Sequence, residues 1–240
     1  MLPDHGPVRS HAGRNVDPAI YDAIERGDAA YHAGRVASAN AAFRRAAGLL
    51  QPSVLTANQD AGFVLNDTLD LSAYFVYTHD AGHARLMWRR FEDAATRIYA
   101  PLGSQTASSR IVADDLAAGN AKHAFATMFA GDKAAVEDDF YWRRETGQPD
   151  IVVSALRMGS RGDFIGARDE LRRAIGTCDN PALSYPYYAL GVAYEALHDH
   201  QRALNSWIYA TLFYDDPPSV DIPEAPRAAY RAATALSRLY

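Results

Sequence analysis

From about residue 18 onward, apolar side chains recur at i, i+3, i+4 and i+7, and strict apolar–polar alternation is nearly absent. That period lines the apolar side chains along one stripe of a helix, so the chain is expected to be all-α, built of amphipathic helices packed stripe to stripe. DAIERGDAAYHAGRVASANAAFRRAAGLL and EAPRAAYRAATALSRL show the pattern in Ala-rich form. IVVSAL at 151–156 has the best β-branched density for a strand, and it is short.

Charge and cysteine content narrow the class. The formal net charge is −5, so no global basic field draws the chain to nucleic acid or anionic lipid. The lone cysteine, Cys178, excludes an intramolecular disulfide framework and a cysteine-based zinc cluster. No apolar run approaches 18 residues, and MLPDHGPVRSHAGRNVDP lacks the apolar core of a secretory signal. A cytoplasmic protein is expected, with no membrane span. Two lysines, Lys122 and Lys133, stand among 24 basic residues, and about a fifth of the chain is alanine. That bias is typical of a GC-rich, usually bacterial, genome.

Proline punctuates the helical pattern. It lacks the N–H that a helix interior needs, so prolines at 18, 52, 101, 149, 181 and 217 bound helical blocks. Three of the intervals between them, 34, 32 and 36 residues, have the length of a two-helix unit. Residues 1–17 read as a flexible arm, and 18–240 as one domain.

Within the last block, Leu190-Gly191, Tyr194, Ala203, Trp207, Ala210 and Asp216-Pro217 are spaced as two antiparallel helices require. Small Gly191 and Ala203 permit close approach, while Tyr194 and Trp207 fill the space beside it. Gly27, Gly34, Ala39, Phe43, Ala46 and Pro52 repeat the arrangement, and Gly162, Phe164, Ala167, Leu171, Ala174 and Pro181 repeat its second half. These positions resemble the tetratricopeptide repeat over 185–217, 19–52 and, in part, 149–181. His198 departs from the pattern by standing where that repeat has its turn glycine. The centre, 53–148, reads as irregular helices near 54–66, 68–78, 80–99, 106–118, 120–131 and 133–146, with Asp67, Asp80, Asn120 and Asp132 as N-caps.

The resemblance implies a right-handed superhelix of antiparallel helical hairpins, with residues 223–240 as a capping helix. It also implies a concave groove for a peptide, lined by Tyr21, Asp28, Tyr31 and His32 from the first unit and by Tyr188, Val192 and Glu195 from the last. Tyrosine suits an interface, giving large contact area for little rotamer entropy. The Lys/Asn/Arg set with which some family members clamp a C-terminal carboxylate is missing at the matching positions.

Other candidate sites have plainer readings. His198-Asp199-His200 fits a solvated turn between helices better than a metal site, because i and i+2 share no helix face. RGD occurs at 26–28 and 161–163, where a packing glycine and a turn glycine explain it. Arginine pairs at 44–45, 89–90, 143–144 and 172–173 suit a solvated face, with an anion-binding stripe as the alternative. Asp114-Asp115 and Glu137-Asp138-Asp139 are neighbours that point apart on a helix, and Cys178 has no positioned base. No catalytic motif, metal or cofactor is expected.

The function expected is therefore non-enzymatic: a scaffold holding a protein or peptide partner. Two other readings stay open. One is a secretion, envelope or exopolysaccharide subunit that acts mainly as a homo-oligomer. The other is an enzyme with its site in the centre, around His83 and His123.

Overall fold

The computed structural model describes residues 17–56, 67–68, 71–76, 78–98, 103–138, 148–177, 184–212 and 228–240. Every regular element among them is an α-helix. In chain order these are α1 (Pro18–His32), α2 (Val36–Leu49), α3 (Pro52–Thr56), α4 (Ala81–Ile98), α5 (Gly103–Ala117) and α6 (Ala121–Asp138). There follow α7 (Pro149–Ser160), α8 (Phe164–Gly176), α9 (Ser184–Ala196), α10 (His200–Leu212) and α11 (Ala228–Leu239). A further helical stretch spans 71–76. The helices form two compact units, one holding the described residues up to Ile98 and the other those from Gly103 on.

Local sequence explains where the helices start. Pro18 and Pro149 open α1 and α7, where a missing N–H costs nothing. The Asp17, Asp80, Asp163 and Asp199 carboxylates accept from the N–H groups of Ala19, His83, Gly166 and Arg202 at 2.9, 3.3, 2.9 and 3.2 Å. IVVSAL is not a strand: it lies inside α7, where Val152, Val153, Ala155 and Leu156 are buried. Packing of that face outweighs the β preference of its residues. Asp132 does not cap a helix either, because α6 runs through it as one helix to Asp138.

One turn recurs. Gly34, His79, Gly119, Gly162 and His198 all have φ between 60 and 92°. In each case the next residue's N–H reaches back five positions: Arg35 to Ala30, Asp80 to Phe75, Asn120 to Asp115, Asp163 to Met158 and Asp199 to Tyr194, all at 2.7–3.0 Å. This left-handed closure satisfies the last carbonyls of one helix and lets the next begin at once. The turn residues fall 45, 40, 43 and 36 positions apart, so two lie in the centre that the sequence left irregular.

The side chains share that register. Five positions after the turn residue stand Ala39, Ala84, Ala124, Ala167 and Ala203, all buried. Nine positions after it stand the buried Phe43, Trp88, Met128, Leu171 and Trp207. Seven before it stand Gly27, Ser72, Val112, Ala155 and Gly191. Size is traded across the hairpin: glycine or serine opposes Phe or Trp, and valine or alanine opposes Met or Leu. A Cβ on Gly27 or Gly191 would run into the ring of Phe43 or Trp207. Ser72 keeps its small size useful by donating its hydroxyl to the Ala84 carbonyl at 3.1 Å.

In the first unit, α1 packs on α2, and α4 on α2 and α3. The Arg90 guanidinium donates to the carbonyls of Ala47 and Leu50, capping the C-terminus of α2. Arg44 pairs with Asp80 at 2.8 Å.

In the second unit, consecutive helices from α5 to α11 pack on one another, and α11 returns to lie on α5. The unit thereby closes on itself. Within it α9 touches α8, α10, α11, α6, α5 and α7, which is why nearly every side chain from Ser184 to Tyr194 is buried. Six consecutive residues of α11, Arg231–Leu236, are buried as well, where it packs on α10, α9 and α5. Tyr240 then donates its hydroxyl to the His200 carbonyl at 2.8 Å, and Arg238 pairs with Asp114.

Candidate functional site

The seven groove positions divide by hairpin. In the second unit Tyr188 and Val192 lie in the core, 1% and 0% exposed. The Tyr188 carbonyl accepts the Trp207 indole N–H at 3.1 Å. Glu195 is half-buried, with His200 Nδ1 at 2.8 Å and the Tyr240 hydroxyl at 3.3 Å. All three therefore face the chain's own helices and side chains. The packing of α9 against six other helices of its unit is the physical reason, and no local sequence signal marks it.

The first hairpin differs. Tyr21 and Asp28 are buried on α1, Tyr31 is half-buried and His32 is exposed. Asp28, Tyr31 and His32 follow at i, i+3 and i+4, so they share one face. The structure adds Tyr74, from the helical stretch 71–76. Its ring stacks on Phe43 at 4.7 Å and lies 6.2 Å from that of Tyr31. The Tyr74 hydroxyl hydrogen-bonds the Asp28 carboxylate. Only its place five positions before the His79 turn could have shown Tyr74 in the sequence, and that turn carries no glycine.

Asp28 is the electrostatic centre of this group. Its Oδ1 is buried and accepts no hydrogen bond. Burial pushes its pKa up from 3.8 to about 6, against the smaller opposing effects of the Tyr74 hydroxyl and His32. At pH 7 it is still mostly a carboxylate.

The remaining candidates are engaged locally. His198 closes its turn at φ 60°, Asp199 caps α10, and His200 is its first residue. His83 pairs with Asp80 at 3.0 Å, and His123 with Asp115 at 2.6 Å. Gly27 of the first RGD packs against Phe43, and Gly162 of the second turns the chain. Arg173 pairs with Glu170, while Arg45, Arg89 and Arg172 are exposed. Arg143-Arg144, Cys178, Asp139 and the 1–16 arm lie outside the described residues, and so do the side chains of Glu137 and Asp138. Among the described residues no three His, Cys, Asp or Glu side chains converge on a metal position, and no helix is long and apolar enough to cross a membrane.

No family model, curated protein or solved structure matches the chain.

Proposed function

We propose that this protein is a non-enzymatic scaffold of tetratricopeptide-like hairpins that binds a protein or peptide segment across the face of its first hairpin. The observation that carries the reading is the grouping of aromatic side chains around one buried carboxylate on the first hairpin. Tyr31 and His32 reach solvent beside buried Asp28, and the ring of Tyr74 lies 6.2 Å from that of Tyr31. Stacked hairpins in one register hold such a face rigidly, which lowers the ordering cost of binding. A cluster of Tyr and His rings around one polar anchor has the make-up of an interface centre.

The test is affinity capture with wild type and with Tyr31→Ala/His32→Ala, after circular dichroism shows equal helicity. The expected result is a discrete partner held by wild type and lost by the variant. A partner retained equally by both would place binding elsewhere and overturn the reading.

A further inference from the structure

The residue six positions before each turn residue is buried in all five hairpins: Asp28, Ala73, Ala113, Leu156 and Val192 are at most 9% exposed. The register therefore imposes burial at this position, and four hairpins meet it with an apolar side chain. The first puts a carboxylate there. A buried charge is costly unless it is paired and hydrogen-bonded, yet Oδ1 of Asp28 has no hydrogen-bond donor. The Tyr74 hydroxyl hydrogen bond lowers its pKa, as does the charge of His32, while the charge of Glu25 raises it.

We propose that Asp28 receives a cationic side chain, the ammonium of a lysine or the guanidinium of an arginine, carried by the segment bound across the first hairpin. The assignment rests on the peptide-binding reading above and adds the chemical class of the segment. A cation supplies the donor that Oδ1 lacks and neutralises the buried charge, and charge-assisted hydrogen bonds are the stronger kind. Tyr31 and Tyr74 stand beside it with their rings 6.2 Å apart, and aromatic faces attract ammonium and guanidinium groups within about 6 Å. Tyr31 and His32 form the outer rim, and ring rotation at a surface is fast, on the order of nanoseconds or less. The chain's net charge of −5 favours approach of a basic segment. An acidic or apolar side chain at this position would leave the carboxylate repelled or still without a donor.

The test uses the full chain, labelled with ¹⁵N, and short peptides blocked at both ends that carry one lysine, one arginine or one norleucine. The expected result is saturable shifts of the 27–32 amides with the lysine and arginine peptides. The norleucine peptide should cause none, and Asp28→Asn should abolish the response while remaining fully folded. No shift at millimolar peptide, equal shifts with norleucine, or an unchanged response in Asp28→Asn would overturn the assignment. A partner captured equally by wild type and Asp28→Asn, but lost by Tyr31→Ala/His32→Ala, would remove the cation site and leave the scaffold reading intact.

Discussion

The indole of Trp207 lies against Gly191 with no room for a Cβ between them, and its N–H donates to the Tyr188 carbonyl at 3.1 Å. Phe43 meets Gly27 in the same way at the other end of the described chain. The pairing of a missing side chain with a large ring sets the closeness of the two helices in these two hairpins. Ala155 and Leu171 occupy the same two register positions with a smaller ring-free pair.

Gly191→Ala is expected to destabilise the protein by about 1–3 kcal/mol through overpacking against Trp207. Trp207→Leu alone is expected to cost about 3 kcal/mol or more by leaving a cavity. The double variant recreates the Ala155/Leu171 pairing, so its loss should fall short of the sum by about 1 kcal/mol or more. Urea denaturation of the four proteins checks this. Strict additivity would show that the two positions are not coupled.

His79 and His198 hold left-handed backbone, with φ 60° at each, where three other turns use glycine. An L residue in that region is strained by roughly 1–2 kcal/mol, partly offset by the greater unfolded freedom of glycine. His198→Gly and His79→Gly should each stabilise by about 0.5 kcal/mol, and Gly162→Ala, at φ 92°, should destabilise by about 1 kcal/mol. Thermal denaturation reads all three. Destabilisation by both histidine replacements would mean that the imidazoles contribute more than the turn strain costs.

Asp28 makes stability depend on pH. Its folded pKa of about 6 lies above its ordinary 3.8, so the folded state holds the proton more tightly than the unfolded chain does. Stability from this group is fully present below about pH 4, falls as pH rises from 4 to 6, and is level above that. The displacement corresponds to at most about 3 kcal/mol. Asp28→Asn is expected to be more stable than wild type at pH 7.5 and to lose the decline between pH 4 and 6. Denaturation across pH 3.5–8 measures it, and a variant less stable than wild type at pH 7.5 would contradict the account.

Much of the helical pattern was legible because it is written in local chemistry. Pro18 and Pro149 open helices, Asp80 caps one, and Gly34 and Gly162 close hairpins. The central hairpins were hidden because the register tolerates substitution. His79 replaces one turn glycine, and Ser72 and Val112 replace the packing glycine, so the pattern survives in Gly119, Ala84, Ala124, Trp88 and Met128. IVVSAL was the nearest thing to a strand because β-branched residues on a buried helix face look locally like one, yet it is helical like the other described elements. The covering of Tyr188 and Val192 was beyond reach, since α9 is packed against six other helices, some of them distant in the chain. The face at Asp28 was half visible: Tyr31 and His32 lie on the same helix, but Tyr74 comes from across the hairpin register.

The central claim, that the first hairpin presents the working surface, is tested most directly by photo-crosslinking in lysate of the source organism. A photoreactive residue replaces His32 in one variant and the exposed Arg45 of α2 in another. The account predicts one discrete crosslinked species at position 32, absent at 45 and suppressed when Tyr31→Ala is added. No product at 32, or the same products at both positions, would contradict it.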